Sequence, residues 1–583
     1  MKKDLEKIRH SLSHVMAMAV KSLYEEVKLG IGPVIENGFY YDFDLKEKIS
    51  DLDLKKIEAQ MNKIISQNLD FKQKKLSFEQ AKKVFKKEPF KLELIEDLRK
   101  AGEKGVSIYE TGDFIDLCKG PHIKNTKEIK PKSFKLTKVA GAYWRGSETK
   151  KQLQRIYAVA FESQEKLNVF LELQKEIEKR DHRLLGKQLN LFSIEDEIGP
   201  GLVLWHPKGA LLKKTIEEYA LNKYLASGYK LVTTPHIARL DLWKTSGHVD
   251  FYKEGMYPTM HMKELGKEEK GDYQIKPMNC PFHMKIYSSQ LRSYRDLPIR
   301  YTELGTVYRY EKSGTLHGLV RVRGFTQDDA HIFCADAHQL LEEVKNTIKL
   351  TKEILGHFGF KEYEVRLSVR DPKDKKKYLG QEKGWQSAEM MLEQALKEEN
   401  WQYQRDEGEA VFYGPKIDIK IKDSLGRLWQ ASTIQVDFNL PEKFDLNYID
   451  QQGKKQRPFV IHRALLGGVE RFIGILIEHC GGVFPFWLSP VQIQIIPISD
   501  NHIKYAEKIL KELKQADFRV ELNRNNTTVS KKIREGELQK TPYLLVVGDK
   551  EEKAESVRVR ERGKGDIGEK KVKEFIQELK KDS

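Results

Sequence analysis

Apolar residues at the start of the chain recur at helical spacing. Ile8, Leu12, Val15, Ala19 and Leu23 form one stripe, the pattern of an amphipathic helix. Mixed helical and strand patterns follow to about residue 160, so residues 1–160 are predicted to form an α+β domain. Residues 161–186 are charged and helical, without Gly or Pro until their end, and predict a connecting helix.

The composition and the predicted secondary structure change at two further points along the chain. Residues 187–487 carry most of the aromatic residues and glycines, whereas residues 488–583 alternate strand, helix, strand and strand. That alternation is typical of a small α/β domain. A chain of 583 residues is too long for one hydrophobic core, so we expect a multidomain α+β protein.

The segment RVRGFTQDDAHIF predicts a strand with a polar face. A strand has a side-chain period of two, which places Phe325, Gln327, Asp329 and His331 on one side. The alternative is a solvent-facing polar strand. Apolar residues flank the row, however, and favour a buried location where these groups bind a ligand.

Two further segments carry basic residues in a similar setting. YTELGTVYRYE predicts a strand with Arg309 and Glu311 on one face, and the following KSGTLHGLV is long enough to close an antiparallel hairpin over a ligand. FVIHRALLGGVERF predicts a strand that ends near His462 and feeds a helix that contains Arg471. An arginine among small residues can approach a phosphate closely, although a single helical arginine is usually a surface charge.

Charge and cysteine content narrow the class of protein. The net charge of +16 suits a polyanionic partner, although a lysine-rich composition can also reflect the source organism. Four widely spaced cysteines are too few for a disulfide framework and favour the reducing cytoplasm. The sequence contains neither a signal-peptide core nor an apolar run of about 18 residues, so we expect no membrane span.

Two pairs of residues in the predicted domain 1–160 have the spacing of metal ligands. His10 and His14 in RHSLSH are four apart and share a helix face. Cys118 and His122 in DLCKGPH lie on a Gly-Pro turn, which could bring them opposite His10 and His14. The residues alone leave open core histidines and a zinc site.

Several long motifs in order resemble a known enzyme family. LLKKTIEEYALNKYLASGYKLVTTP, YRYEKSGTLHGLVRVRGF and LLGGVERF resemble the three motifs of class II aminoacyl-tRNA synthetases. KPMNCPFH, RGFTQDDAHIF, YGPKIDI and WQASTIQVDF resemble the threonyl-tRNA synthetase family in particular. The resemblance implies an antiparallel-sheet catalytic domain (187–487), an N-terminal editing domain (1–160) and a C-terminal anticodon-binding domain (488–583).

The resemblance assigns an ATP site, with Mg²⁺ as the companion ion. Arg309 would hold the α-phosphate and stabilise the charge that develops as the carboxylate attacks. Arg471 would hold the γ-phosphate and cover the adenine, with Phe325 on its other side. The implied ATP-binding residues are Arg309, Glu311, Phe325, Gln430, Thr433 and Arg471, and the implied catalytic residues are Arg309, Gln327, Arg471 and His248.

The resemblance also assigns one zinc ion per subunit. Cys280, His331 and His462 lie on separate segments that no spacing rule connects, and each alone reads as a packed or surface residue. Three protein ligands leave a zinc position open, which threonine fills in this family. The implied threonine-binding residues are Met278, Gln327, Asp329, Tyr413 and Gln435.

A zinc site that engages a hydroxyl group creates a need for editing. Such a site can reject valine by about 10⁴–10⁵-fold, but serine lacks only a methyl group, worth roughly 10–200-fold. We therefore expect hydrolysis of Ser-tRNA(Thr) and favour chemistry without a protein-bound metal. The implied editing residues are His10, His14, Tyr41, Lys91, Asp116, Cys118 and His122.

The remaining expectations rest on the resemblance alone. The partners would be tRNA(Thr), L-threonine and ATP, in a homodimer that forms through motif one. Many members begin with a further small domain that this chain is expected to lack, which should spare charging and lower tRNA affinity. The implied anticodon-binding residues are Asn526, Arg534, Glu551 and Arg560.

Some residues depart from the family pattern, and two rival interpretations remain. Phe282, Tyr310, Ser432 and Gly468 replace more common residues, and Phe282 puts the pocket floor in doubt. A synthetase for serine, proline or alanine would share the three motifs but not this Cys-His-His set with QDDAH. A catalytically silent RNA-binding regulator would lack an arginine or a zinc ligand, and all are intact.

Overall fold

The computed structural model describes residues 2–261, 271–374 and 377–582. The chain divides into two compact units, Met1–Glu176 and Ile177–Ser583. The boundary falls within the second half of the segment that the sequence assigns to a connecting helix.

The first unit combines helices with two antiparallel sheets. The long helix α1 packs on a sheet of order β1-β3-β8-β7, with β2 beside β3, and β4-β5-β6 form a second sheet. Its elements are α1 Lys2–Leu23, β1 Lys28–Leu29, β2 Val34–Ile35, β3 Gly38–Asp44, α2 Asp51–Ser66, β4 Lys72–Leu76, α3 Phe78–Val84, α4 Pro89–Lys100, β5 Val106–Thr111, β6 Phe114–Leu117, β7 Phe134–Tyr143, β8 Gln152–Ala160 and α5 Gln164–Arg180.

The second unit is built around a sheet of eight strands. Its elements up to the last core helix are α6 His182–Gln188, β9 Phe192–Ser193, β10 Leu204–Trp205, α7 Pro207–Ala226, β11 Lys230–Leu231, β12 Ile237–Arg239, α8 Leu240–Ser246, α9 His248–Phe251, β13 Met260–His261, β14 Asp272–Ile275, α10 Cys280–Ser288, β15 Ile299–Tyr308, β16 Gly324–Cys334, α11 Ala337–His357, β17 Tyr363–Val369, α12 Glu382–Glu398, β18 Tyr403–Glu407, β19 Lys416–Lys422, β20 Leu428–Asp437, α13 Leu440–Lys443, β21 Tyr448–Ile449, β22 Lys455–Gln456, β23 Phe459–Gly468 and α14 Val469–Cys480.

The large sheet follows the order β11-β15-β16-β23-β20-β19-β17-β18. The inner neighbours from β15 to β17 pair antiparallel, and only the outer strands β11 and β18 pair parallel with theirs. Helices α7, α11, α12 and α14 bury apolar faces in the same core as one side of the sheet. The opposite side is therefore free to carry polar side chains.

The chain ends in a smaller α/β module with its own core. Its sheet follows the order β25-β24-β26-β27-β28. The elements are β24 Ile493–Pro497, α15 Ile503–Gln515, β25 Val520–Leu522, α16 Val529–Leu538, β26 Tyr543–Val547, α17 Asp549–Ala554, β27 Ser556–Glu561, β28 Gly565–Lys571 and α18 Val572–Asp582.

Three local expectations need correction. The segment 161–186 is not one helix, because the Asp181 carboxylate accepts a hydrogen bond from Arg183 N at 2.8 Å and starts α6 anew. The strand with Arg309 ends at Tyr308, so Arg309 and Glu311 lie just beyond β15.

The strand that carries His462 is also longer than expected. It continues to Gly468, and the helix begins only at Val469. The reason is tertiary: residues 459–468 pair with β16 and β20, and the Asp328 carboxylate accepts from the N–H groups of residues 465–467 at 2.8–2.9 Å.

None of the helices in the described part of the chain combines the length and the apolar character that a membrane crossing requires.

Candidate active site

A cavity of about 390 Å³ lies on the polar side of the eight-stranded sheet. Its walls come from β16, β20, β23, the loop between β15 and β16, the loop before β19, and the starts of α10 and α14. Almost all the predicted synthetic-site residues line it: Met278, Cys280, Arg309, Glu311, Phe325, Gln327, Asp329, His331, Tyr413, Gln430, Thr433, Gln435, His462 and Arg471.

Strand register explains why residues distant in sequence meet there. His331 on β16 lies directly opposite His462 on β23, and His462 lies opposite Gln435 on β20. Because cross-strand neighbours point to the same side, these three side chains form one row. Asp329 and Thr433 flank Ala464 in the next row.

One end of the cavity is strongly basic. The Arg309 guanidinium lies 5.1 Å from the centre of the Phe325 ring, and Arg471 Nε donates to Val320 O at 2.9 Å. Burial lowers the pKa of Arg471, and the positive charges of Arg309 and Arg321 lower it further. Like charges held together in a partly enclosed cavity favour binding of a polyanion such as a triphosphate.

The loop between β15 and β16 covers this basic end and is held by a buried histidine. His182 Nε2 accepts from Leu319 N at 2.9 Å, while its Nδ1 lies 2.6 Å from Glu478 Oε1. Leu319 and Val320 line the cavity. His182 was not predicted as a functional residue, because it carries no motif spacing and lies 137 residues before its loop partner.

A carboxylate that the sequence analysis also missed organises the opposite wall. Asp418 Oδ1 accepts from Gln430 Nε2 at 2.8 Å and from Thr433 Oγ1 at 3.1 Å. These hydrogen bonds fix the two side chains predicted to line the ribose and phosphate region. The alternation of the YGPKIDI strand could have shown that Asp418 shares a face with Lys416.

Cys280, His331 and His462 come together as a potential metal centre. All three are buried, and one ligand atom from each lies within 4.8 Å of the others. His331 Nε2 lies 2.8 Å from His462 Nδ1, and His462 Nε2 lies 2.8 Å from Asp437 Oδ2. One thiol and two imidazoles beside a cavity fit a zinc ion with an open position.

The residues beside this centre suit a small amino acid. Asp329 Oδ2 accepts from Asn279 Nδ2 at 3.2 Å, and burial raises the pKa of Asp329 against the opposing effect of nearby histidines. The Tyr413 hydroxyl donates to Gln435 Oε1 at 2.7 Å. A buried carboxylate complements an ammonium group, and the hydroxyl–amide pair limits the size of the side chain beside it.

His248 and Phe282 do not line the cavity. His248 is fully buried behind it, with Nε2 3.1 Å from Met278 Sδ and 3.9 Å from Cys280 Sγ. Burial lowers the pKa of His248 to about 3. The Phe282 ring packs against Trp243 at 5.8 Å between centroids, so the departure at Phe282 does not reshape the cavity wall.

The first unit brings its two predicted pairs together. Cys118 Sγ lies 3.3 Å from both His10 Nε2 and His122 Nε2. The His14 ring packs 4.3 Å from His122, and all four ligand atoms lie within 4.8 Å of one another. The structure thus joins α1 to the turn after β6 at a single cluster.

Asp116 anchors a buried polar group beside this cluster. It accepts from the Tyr41 hydroxyl at 2.6 Å, pairs with Lys91, and lies 3.6 Å from His14 Nε2. Lys91 Nζ also donates to the Tyr41 hydroxyl at 3.1 Å. All seven predicted editing residues therefore form one connected site.

Burial controls the ionisation of the cluster. It lowers the pKa of His10, His14 and His122 and raises the pKa of the Cys118 thiol to about 11. The four residues are therefore neutral at pH 7. A neutral cluster can bind a polar substrate or order a water molecule without repelling the cationic amino group of an aminoacyl ester.

Comparison with known proteins gives three matching family models. The class II core domain of tRNA synthetases (G, H, P, S and T) matches residues 261–480, and an anticodon binding domain matches residues 492–582. The second additional domain of threonyl and alanyl tRNA synthetases matches residues 106–157. The threonine–tRNA ligase of Sulfurihydrogenibium sp. is 50% identical over 584 residues, 99% of this chain and 89% of that protein.

The chain belongs to the threonine–tRNA ligase family.

Other members agree with this assignment. The threonine–tRNA ligase of Dehalococcoides mccartyi (strain CBDB1) is 51% identical over 96% of this chain and 93% of its own length. A Cryptosporidium parvum structure, described as the RNA binding domain of threonyl-tRNA synthetase, is 39% identical with a TM-score of 0.64 and covers 69% of this chain and 98% of its own.

The family assignment confirms several expectations. The chain has a class II synthetase fold and an editing-type N-terminal domain, and it is a ligase that joins threonine to tRNA with ATP and Mg²⁺. Its partners are therefore tRNA, an amino acid and ATP. The rival assignments to another amino acid and to a silent regulator are not favoured by relatives named threonine–tRNA ligase.

The predicted anticodon residues are dispersed over the C-terminal module. Asn526 and Arg534 are exposed, in the loop before α16 and on that helix. Arg560 on β27 lies 3.4 Å from Glu537. Glu551 Oε2 accepts from Gly548 N at 2.9 Å and so caps its own helix. The structure gives Glu551 a structural contact that sequence alone did not suggest.

Proposed function

We propose that the cavity on the eight-stranded sheet is where this ligase forms threonyl-adenylate, with ATP at its basic end and threonine at the metal centre. The observation that carries the proposal is the row of His331, His462 and Gln435 beside Cys280, at the floor of a cavity that also contains the half-buried Arg309 and Arg471. Shape and charge thus divide one cavity into two subsites.

At the basic end the protein's own residues stabilise charge. Arg309 holds the α-phosphate, where negative charge increases as the threonine carboxylate attacks. Burial and neighbouring cations lower the pKa of Arg471, and the γ-phosphate provides it with a counter-charge. Phe325 supplies a flat apolar surface for the adenine ring, Glu311 accepts from its amino group, and Gln430 and Thr433 hold the ribose and phosphate region.

At the other end we assign zinc to Cys280, His331 and His462. When bound, zinc supplies a Lewis acid that engages the amino and hydroxyl groups of threonine. Asp329 faces the amino group, while Met278, Gln327, Tyr413 and Gln435 enclose the side chain. Valine, which lacks the hydroxyl group, is rejected because polar groups are then left unpaired.

We assign the cluster around Cys118 to hydrolysis of Ser-tRNA(Thr). Its neutral histidines and thiol bind the seryl ester, and Asp116 with Tyr41 and Lys91 orients the amino group and a water molecule. Hydrolysis without a protein-bound metal predicts one zinc ion per chain, whereas a metal at His10, His14, Cys118 and His122 predicts two.

His248 is the least supported of the assigned catalytic residues. Its Nε2 contacts Met278 and Cys280 rather than the cavity, so any part in transfer to tRNA would require a rearrangement. The homodimer, the cytoplasmic location, the anticodon contacts and the domain bounds 1–160, 161–186, 187–487 and 488–583 stay predictions.

ATP–pyrophosphate exchange with each amino acid tests the proposal. We expect threonine to support exchange about 10⁴-fold better than valine, and serine to fall within roughly 10–200-fold of threonine. Metal analysis of the same preparation gives the zinc stoichiometry. Equal exchange with threonine and valine, or a preparation without zinc, would contradict the assignment of the metal subsite.

A further inference from the structure

A chain of three buried groups leads away from the metal centre behind His331. His331 Nδ1 lies 2.8 Å from His283 Nδ1, and His283 Nε2 lies 3.2 Å from Glu303 Oε1. The three side chains are at most 4% exposed. His283 ends the segment KPMNCPFH and Glu303 lies in YTELGTVYRYE, but the sequence assigned neither residue a role, and neither lines the cavity.

The chain fixes where each proton lies. A carboxylate only accepts, so His283 Nε2 carries the hydrogen that faces Glu303. A neutral imidazole has one N–H, and His283 Nδ1 is then an acceptor. His331 therefore donates from Nδ1, which leaves a lone pair on Nε2, the atom that faces the metal centre.

The second histidine obeys the same rule from the other side. His462 Nε2 donates to the Asp437 carboxylate at 2.8 Å, so His462 Nδ1 also presents a lone pair. Those two lone-pair nitrogens, His331 Nε2 and His462 Nδ1, lie only 2.8 Å apart. Two acceptors at that distance repel each other unless a cation lies between them, so both carboxylates prepare the centre for a cation.

Glu303 is held in one orientation by fixed donors. Thr234 N donates to Oε2 at 3.1 Å, and the Thr234 hydroxyl donates to Oε1 at 2.8 Å. Lys276 Nζ donates to the same hydroxyl oxygen at 2.9 Å. The backbone N–H cannot be reversed, which fixes an oxygen at the Oε2 position.

We propose that Glu303 and His283 are positioning residues that keep the proton of His331 on Nδ1 and so make Nε2 a ligand. This inference rests on the proposed zinc site. It predicts that metal affinity depends on the order of donors and acceptors in the chain and not merely on its packing.

Glu303→Gln reverses that order with almost no change in volume. The backbone N–H of Thr234 keeps the amide oxygen on its side, so the amide N–H₂ faces His283 Nε2. His283 must then accept at Nε2 and donate from Nδ1, which moves the His331 proton to Nε2. We expect zinc to bind about 10–100-fold more weakly, the usual effect of losing an outer partner of a metal-bound histidine.

Two substitutions of His283 separate hydrogen bonding from packing. In His283→Asn the amide oxygen takes roughly the place of Nδ1 and can still accept from His331. His283→Leu has a similar volume and cannot accept. We expect zinc affinity within a few-fold of wild type for the Asn variant and about 10–100-fold lower for the Leu variant.

The measurement is competition for zinc between the full-length chain and a chromophoric chelator. Glu343→Gln is the matched control, because Glu343 is a buried carboxylate that pairs with Arg300 on the same strand as Glu303 and does not contact the metal centre. Circular dichroism and Ser-tRNA hydrolysis show whether each variant is folded.

Each outcome either supports or overturns the inference. Weak binding by Glu303→Gln and His283→Leu, with near-normal binding by His283→Asn and Glu343→Gln, supports the inference. Wild-type affinity in all variants, or equal loss in the Asn and Leu variants, overturns it while leaving the zinc site intact. Failure of the wild-type chain to bind zinc overturns the zinc site and this inference together.

Discussion

At the scale of single residues, the two proposed sites differ in the charge of their side chains. The synthetic cavity concentrates charge, since Arg309 and Arg471 lie in one basic region and Asp329 is buried near three ligand side chains. The editing cluster removes charge, because burial keeps His10, His122 and Cys118 neutral. The basic region suits the phosphates of ATP, and the buried Asp329 carboxylate suits the amino group of threonine. The neutral cluster does not repel the cationic amino group of a seryl ester.

The neutral editing cluster gives a prediction for the pH dependence of hydrolysis. A histidine with a lowered pKa stays neutral as pH falls through its ordinary value of 6.5 and is protonated only below it. Enzymatic hydrolysis of Ser-tRNA(Thr) should therefore persist to about pH 6. We expect His10→Ala to reduce the rate by about 10²-fold at each pH.

The measurement is release of serine from Ser-tRNA(Thr) between about pH 5.5 and 8, after subtraction of the uncatalysed rate. Lys21→Ala, a change on the exposed part of the same helix, serves as the control. An acid limb at pH 6.5, or a rate unaffected by His10→Ala, would count against the neutral cluster.

At the scale of elements, the β15–β16 hairpin joins the two halves of the synthetic site. Strand β16 carries Gln327, Asp329 and His331 of the proposed threonine and zinc subsite, and the loop covers the proposed nucleotide end. The loop depends on one close approach: Gly318 has φ +47° and packs directly against His182. Only a residue without Cβ allows the Leu319 N–H to reach His182 Nε2.

Gly318→Ala should therefore weaken ATP binding. The added Cβ would collide with His182 Nε2 and meet Arg183 Cγ at 2.8 Å, so the loop must shift at a cost of about 1–3 kcal/mol. We expect KM for ATP to rise by about tenfold, with a smaller change in KM for threonine. ATP–pyrophosphate exchange with each substrate varied measures both.

Gly314→Ala, in the same loop, is the matched control. Among the described residues, no heavy atom outside its chain neighbours lies within 4 Å of the position that its Cβ would take. The control should behave like wild type. Equal effects of the two substitutions, or none for Gly318→Ala, would show that the His182 contact does not hold the loop.

At the scale of the whole molecule, the net charge should affect tRNA binding more than amino-acid activation. The charge of +16 attracts tRNA over a long range, whereas the proposed site of adenylate formation lies within one cavity. Salt screens exposed charges far more than buried ones. Ionic strength should thus act on tRNA binding and leave activation nearly unchanged.

Raising KCl from about 50 to 200 mM should increase KM for tRNA by at least about tenfold, as expected if only two or three phosphate contacts release counterions. Aminoacylation at varied tRNA concentration measures this effect. The rate of ATP–pyrophosphate exchange, which needs no tRNA, should change by less than about twofold. A KM for tRNA that does not respond to salt would contradict the electrostatic contribution.

The sequence by itself determined the periodic elements and the family. Helix α1, the polar face of β16 and the strand–helix alternation of the C-terminal module follow from local spacing, because side-chain periods of 3.6 and 2 are properties of the backbone. The ordered motifs also suggested the residues that we assign to synthesis and to editing. Local spacing failed at Asp181, where a helix cap starts a new helix, at Tyr308, where the strand ends before Arg309, and at Gly468, where pairing with β16 and β20 extends the strand.

Only the tertiary structure decided which distant side chains share a site and in what protonation pattern. His331 and His462 are 131 residues apart and meet because β16 pairs with β23. The partners that fix their protons, Glu303 with His283 and Asp437, follow no sequence spacing. Register and burial are properties of the folded sheet, and they set both the contacts and the ionisation on which the chemistry depends.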